Sequence, residues 1–184
     1  MTEFTLHDLS TSPNAARADL EAVEKKYGFI PNLMAIMAEA PPLLKGYLAL
    51  SQLLEQTTLS AQERNLLLLA ISVANGCDYC VAAHTLSSKG AKLPADVIEA
   101  VRNDRPISNS RLKALRALAQ SVANDRGRPA EETVREFYDS GYTKANLLEV
   151  ILAVGMKTLS NYTNHVADTP LDSAFRTAAW QKGD

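Results

Sequence analysis

Breaks in an otherwise continuous helical pattern constrain the fold of this chain more than any other feature. Apolar residues recur at spacings of three and four through most of the 184 residues, and no stretch shows the alternation typical of a strand. Proline or glycine interrupts the pattern, most sharply at Pro41-Pro42, Asn75-Gly76 and Gly141. Proline cannot continue a helix and glycine favours its end, so these positions mark helix boundaries. We therefore expect eight or nine helices in one all-α domain over residues 1–184.

Two of the expected helices meet where the only two cysteines lie. Ser60 and Glu63 form a capping-box pattern ahead of the apolar run NLLLLAISVA, and Asn75-Gly76 is typical of a left-handed helix end. The segment CDYCVAAHT follows at once. A new helix should therefore begin at or near Cys77.

An internal similarity predicts two related helical units. A shift of 81 residues aligns NLLLLAISV, from Asn65, with NLLEVILAV, from Asn146, and places His84 opposite His165. The predicted units are a CxxC unit at about 43–90 and a degenerate second unit at about 108–167, which lacks the cysteines.

Composition excludes several functional classes. The net charge is −2, and no Lys/Arg run exceeds two residues, so the chain lacks the basic surface that nucleic-acid binding needs. The opening MTEFTLHDLS does not resemble a secretory signal, and the apolar runs are shorter than the roughly 20 residues of a membrane span. We expect a cytoplasmic protein that binds neither nucleic acid nor membranes.

The cysteine spacing is suited to dithiol redox chemistry. Residues three apart share a helix face at a separation that a disulfide tolerates, so Cys77 and Cys80 can close and open a bond. The start of a helix favours a thiolate over a thiol. His84 lies one turn beyond Cys80 on the same face, where an imidazole can carry protons.

Other interpretations of the same residues remain open. The cysteines could be small buried residues beside a core histidine. A structural zinc site needs four ligands, and the chain has no third cysteine, so we predict no metal. Haem attachment requires a histidine directly after the second cysteine, where Val81 stands. A thioredoxin-like domain would need strands.

The sequence LSAQERNLLLLAISVANGCDYCVAAHT, residues 59–85, resembles the core motif of the carboxymuconolactone decarboxylase-like superfamily. It is most similar to the alkylhydroperoxidase D-like branch and its peroxidase-related members, to which YTNHVADTPLD, residues 162–172, is also similar. The resemblance implies an all-α alkylhydroperoxidase D-like fold, homo-oligomers such as trimers or hexamers, and a peroxiredoxin-type activity.

The resemblance also assigns roles to the site residues. Cys80 would attack an organic hydroperoxide, Cys77 would resolve the product as a disulfide, and His84 would carry the proton. An external dithiol, such as a lipoyl-type donor, would restore the thiols, and no bound cofactor is expected.

One position departs from the family pattern. The family has a relay glutamate twelve residues before the first cysteine, and this chain has Asn65 there, which cannot take a proton. Glu63 or His165 could substitute for that glutamate, and Tyr79 could donate its hydroxyl to the site. We therefore expect a weaker peroxidase than is usual for the family. A thiol–disulfide oxidoreductase or redox sensor, or a non-catalytic helical oligomer, are the alternatives.

Overall fold

The computed structural model describes residues 3–181, which contain helices and no strand, as the sequence predicts. The α-helices are α1 (Asn14–Tyr27), α2 (Asn32–Met37), α3 (Pro41–Glu55), α4 (Ala61–Ala74), α5 (Asp78–Gly90), α6 (Ala95–Arg102), α7 (Ser110–Asn124), α8 (Glu131–Asp139) and α9 (Lys144–Ala167). A 3-10 helix, Ser173–Ala178, lies in the C-terminal segment. None of the helices between residues 3 and 181 combines the length and apolar character that a bilayer crossing requires.

Helix α4 forms the centre of the domain. It packs against α5, α7, α9 and α6, and its buried residues lie on nearly all sides of the helix. A helix that is apolar around its circumference is stable only when other helices cover it. The surrounding helices therefore bury α4 and are positioned by it.

The helix ends largely follow the sequence signals. Gly28 ends α1 in the left-handed conformation, and Pro41 begins α3. Pro13 occupies the cap position of α1, and Asn14 is the first helical residue. Helix α9 extends to Ala167, where Asp168 ends it in the left-handed conformation.

Helix α9 combines two kinds of surface. One face is buried along its whole length and changes from apolar to polar toward the C-terminus; it comprises Asn146, Val150, Ala153, Met156, Lys157, Ser160, Asn161 and Asn164. Another face leaves Leu148, Ile151, Tyr162 and Val166 exposed. Because apolar residues lie on both faces, the sequence pattern of α9 does not identify its buried side.

The segments related by the shift of 81 residues differ in one respect. The first contains two helices, α4 and α5, separated at Asn75-Gly76, whereas the aligned residues of the second lie in the single helix α9. The division into two related units remains a prediction.

Glu63 has a structural role at the start of α4. Its side chain accepts a hydrogen bond from the Ser60 backbone N–H (2.8 Å), which completes the predicted capping box with the Ser60 hydroxyl. The same carboxylate accepts bonds from Arg111 Nε (3.0 Å) and the Tyr142 hydroxyl (2.9 Å). These contacts connect α4 to α7 and to the loop before α9.

The Glu63 contacts predict a loss of stability in Glu63→Ala. The variant loses the cap and the charged hydrogen bonds, so we expect the free energy of unfolding to fall by about 2 to 4 kcal/mol in urea titration at pH 7. Burial alone would raise the pKa of Glu63, but hydrogen bonds from Ser60, Tyr142 and Arg111 hold it below its usual value. The contribution is therefore present above the ordinary glutamate pKa and is lost as the pH falls through the lowered one.

The control is Glu132→Ala, since Glu132 is an exposed acid in the first turn of α8. We expect it to change the free energy of unfolding by no more than about 0.5 kcal/mol. Equal losses in the two variants would contradict the structural role of Glu63.

Candidate active site

A turn of three residues, 75–77, joins α4 to α5 and positions both cysteines. Gly76 adopts φ +64°, and the Cys77 N–H donates to the carbonyl of Ser72 (3.0 Å). A non-glycine side chain is disfavoured at this φ, which accounts for glycine here. Cys77 then caps α5, and Cys80 lies in its first turn. The predicted helix start is confirmed to within one residue.

One side chain of α9 contacts both sulfur atoms. Asn164 Nδ2 lies 3.2 Å from Cys80 Sγ and 3.6 Å from Cys77 Sγ. Both cysteines are buried, and no disulfide joins them. The neighbouring Asn161 is also buried, and its Oδ1 accepts from Asn75 Nδ2 (2.8 Å), which connects the α4–α5 turn to α9. Asn161 and Asn164 therefore belong to the buried site and not to the surface of the helix.

A lysine approaches the predicted proton carrier. Lys157 Nζ lies 2.8 Å from His84 Nε2, and the Lys157 side chain is completely buried. Among residues 3–181, no carboxylate oxygen lies within 4 Å of this amine. An ammonium group has donors but no acceptor, so His84 Nε2 must accept the bond and the ring proton lies on Nδ1.

Cys80 has the properties of a reactive thiol. Burial alone would raise its pKa, but a hydrogen bond from Cys77 and the positive charge of Lys157 outweigh burial and lower the pKa to about 5. The pKa of Cys77 is raised instead, because its S–H donates to Cys80 and because it is buried. Burial and the nearby Lys157 charge hold the pKa of His84 well below its usual range. At neutral pH the site therefore contains a Cys80 thiolate, a Cys77 thiol and a neutral imidazole.

An apolar cavity of about 720 Å³ opens onto Cys80 and His84. Its volume lies within the range of small-molecule sites. Five aromatic rings line it, those of Tyr27, Phe29, Tyr47, Tyr79 and Phe175. Cys77 does not line the cavity. A small molecule in the cavity would thus meet Cys80 first.

Tyr79 lines the cavity with its ring, whereas its hydroxyl is used elsewhere. The hydroxyl donates to the buried carboxylate of Asp172 and accepts from the Leu33 backbone N–H (3.3 Å). Burial and the Asp172 carboxylate raise the Tyr79 pKa, so the hydroxyl stays protonated. The tyrosine therefore anchors the C-terminal segment, whose Phe175 packs edge-on against its ring (5.8 Å).

The other candidates for the missing relay group lie in different surroundings. Asn65 lines the cavity, and its amide donates to the Ala61 carbonyl (2.9 Å). Glu63 does not line the cavity, since Arg111 and Tyr142 bind its carboxylate. His165 is exposed on α9 and does not line the cavity either. The structure thus brings together Cys77, Cys80, His84 and Asn65, but it does not bring Glu63 or His165 to this group.

Lys157 is the site residue that the sequence interpretation missed. Val150, Ala153, Lys157, Asn161 and Asn164 follow helical spacing on one face, but apolar residues on the opposite face prevent the sequence alone from identifying the buried side. A lysine and two asparagines in line with core residues indicate a buried polar site. No group of three or more His, Cys, Asp or Glu residues that could hold a metal ion occurs among residues 3–181.

Solved structures with the same fold include proteins described as peroxidase-related. The structure titled as an alkylhydroperoxidase AhpD core, an uncharacterized peroxidase-related protein from Ralstonia eutropha JMP134, has a TM-score of 0.82 and 22% identity, with 94% of this chain and 93% of that chain covered. An uncharacterized peroxidase-related protein from Silicibacter sp. TM1040 has a TM-score of 0.78 and 17% identity, with 95% and 92% covered. The debrominase Bmp8, solved in complex with 2,3,4-tribromopyrrole, has a TM-score of 0.79 and 18% identity, with 97% and 96% covered.

These similarities define an all-helical protein with the alkylhydroperoxidase D-like fold. Residues 41–121, which include α4, both cysteines and His84, match the carboxymuconolactone decarboxylase family. The resemblance inferred from residues 59–85 is confirmed. A search of curated proteins finds no significant match.

The different environments of the two thiols predict selective alkylation. In the reduced protein, iodoacetamide should modify Cys80 and leave Cys77 intact at pH 6 to 7, because only Cys80 is a thiolate there. The rate should rise as the pH increases through about 5, the pKa of Cys80. Mass spectrometry of peptides from a pH series measures both sites.

Cys80→Ser is the control for this experiment and should remove the fast reaction. A midpoint near the ordinary cysteine value of about 8.5, or equal labelling of both thiols, would contradict the assignment.

Proposed function

We propose that this protein is a thiol-dependent peroxidase that reduces organic hydroperoxides through Cys77 and Cys80. The observation that carries the proposal is the position of Cys80: its thiolate lies at an apolar cavity, and a second thiol adjoins it outside the cavity. A thiolate is the form that attacks a peroxide oxygen. The cavity is far larger than hydrogen peroxide requires, which favours an organic substrate.

The reaction needs both cysteines and one proton. Cys80–S⁻ attacks the terminal oxygen of ROOH, the O–O bond breaks, and Cys80 becomes a sulfenic acid while RO⁻ leaves. A proton from His84 converts RO⁻ to the alcohol. The Cys77 thiol then displaces the sulfenic hydroxyl as water and forms the disulfide. Two electrons pass from the dithiol to the peroxide.

The disulfide must be reduced before another turnover. We propose an external dithiol as the reductant, since exchange through a mixed disulfide returns both thiols without a bound cofactor. We also propose that the chain forms homo-oligomers, which the exposed apolar side chains of α9 support: Leu148, Ile151, Tyr162 and Val166.

Stopped-flow oxidation by cumene hydroperoxide tests the peroxidase. The reduced wild type should form the Cys77–Cys80 disulfide rapidly, while Cys80→Ser should react no faster than a protein without thiols. Cys77→Ser should consume one equivalent and stop at a sulfenic acid, which dimedone traps. With dithiothreitol as reductant, the wild type should turn over repeatedly and Cys80→Ser should not.

Each alternative has its own result in this experiment. A pair that exchanges with dithiols but ignores peroxide would support a thiol–disulfide oxidoreductase or redox sensor. Thiols that are unreactive to both reagents would support a non-catalytic oligomer. Either result would overturn the proposal.

The aromatic lining of the cavity favours one second candidate, reductive dehalogenation. A halogenated aromatic ring matches the five rings around Cys80, and the fold is shared with the debrominase Bmp8. A dithiol can supply the electrons: ArBr and two thiols give ArH, a disulfide and HBr. Bromide release from 2,3,4-tribromopyrrole that exceeds the peroxide rate, and that is lost in Cys80→Ser, would favour this function.

A further inference from the structure

The neutral state of His84 leaves a gap in the proposed reaction. A neutral imidazole that gives its only N–H proton to RO⁻ must receive another proton at once, because an imidazolate is too basic to persist at neutral pH. Asn65 cannot supply that proton, and Glu63 does not line the cavity. Lys26 and Glu55 also line the cavity, but they bind each other (2.9 Å). Among the described residues, Lys157 is the titratable side chain that hydrogen-bonds to His84.

We propose that Lys157 is a positioning residue that acts through its neighbours: its ammonium stabilises the Cys80 thiolate, and its proton passes through His84 to the leaving alkoxide. This inference rests on the peroxidase proposed above. The two ring nitrogens of His84 are placed for the transfer. Nε2 accepts from Lys157 Nζ at 2.8 Å, whereas Nδ1 lies 3.5 Å from the Ser87 hydroxyl, beside the cavity.

Charge balance in the buried site supports the transfer. A fully buried ammonium is costly unless an opposite charge compensates it. No carboxylate within the described residues reaches Lys157, so the Cys80 thiolate is the compensating anion. When Cys80 is oxidised, that anion disappears and the ammonium is left unpaired. The loss of the thiolate thus favours release of the Lys157 proton at the step where RO⁻ needs it.

The atoms and charges balance over the full reaction. Cys77–SH, Cys80–S⁻, Lys157–NH₃⁺ and ROOH give the disulfide, Lys157–NH₂, ROH and H₂O. The ammonium proton enters the alcohol, and the Cys77 proton enters the water. Reduction by the external dithiol returns both protons.

The other titratable groups near the site do not act as the proton donor to His84. Those that face Lys157 are Cys77, Cys80 and His84 on α5, with Tyr47 of α3 lying near Cys80. Helix α2 has no titratable side chain. On α4, Glu63 binds Arg111 and Arg64 binds the Leu59 carbonyl, while Arg116 of α7 pairs with Asp104.

Two substitutions separate the charge of Lys157 from its proton. Lys157→Met removes both, and Lys157→Arg keeps a charge that does not dissociate. The first measurement is Cys80 alkylation against pH, which does not depend on peroxide. Lys157→Met should raise the midpoint by about 1 to 3 pH units, whereas Lys157→Arg should leave it near that of the wild type. Lys89→Met, which removes an exposed lysine of α5, is the control and should not move it.

The second measurement is the single-turnover rate with cumene hydroperoxide at a pH where Cys80 is a thiolate in each protein. The single-turnover rate of both Lys157 variants should fall by at least about tenfold. This threshold is smaller than the rate factor that a positioned proton donor usually contributes. A full rate in Lys157→Arg would overturn the proton role. A low alkylation midpoint in Lys157→Met would overturn the charge role.

The third measurement uses the wild type alone, so it stands even where a variant fails to fold. Between pH 6 and 8, oxidation should release two protons, one from Cys77 and one from Lys157, and the disulfide potential should fall by about 59 mV per pH unit. A slope of about 30 mV, together with a Cys80 midpoint below pH 6, would mean that oxidation releases only the Cys77 proton, and it would overturn the neutral Lys157 of the disulfide form. A wild type that ignores peroxide but shows the two-proton slope would refute the peroxidase and retain the linkage between Lys157 and the thiols.

Discussion

The site depends on the three-residue turn between α4 and α5. Gly76 reverses the chain within a single turn, the Cys77 N–H closes the end of α4 by bonding to Ser72, and α5 begins with the next residue. Asn75 fixes this turn to α9 through Asn161. The two sulfur atoms therefore face α9 at the level of Asn164, whose side chain contacts both of them. An inserted residue would move the thiols past their partners on α9 while leaving the cysteine spacing intact.

The polar end of the buried face of α9 explains why the two thiols differ. Dithiols in similar surroundings would share similar pKa values, but here Lys157 places a positive charge beside Cys80 within a low-dielectric interior. The Cys77 S–H then donates a hydrogen bond to the Cys80 thiolate and stabilises it. A lysine without a carboxylate partner costs stability in most cores. At this site the thiolate offsets that cost, so the reduced protein is the electrostatically balanced form.

The sequence predicted those features that depend on local rules. The capping box at Ser60 and Glu63, the left-handed Gly76 and the helix start at Cys77 all follow from nearby residues. Lys157 was not predicted, because its role depends on which face of α9 is buried, and Leu148 and Ile151 place apolar side chains on the exposed face. His165 was expected opposite His84. It is instead exposed, since the residue after buried Asn164 is rotated by about 100° around the helix.

Asn65 and Lys157 are best understood together. A glutamate at position 65, as in the family pattern, would place a carboxylate in the same cavity as Cys80 and His84. That carboxylate would compete with the thiolate for the charge of Lys157, and a second anion would disfavour ionisation of Cys80. A neutral amide avoids this competition and leaves the ammonium to the thiolate. The asparagine is therefore compatible with a site whose proton comes from a buried amine, whereas the family glutamate would weaken it.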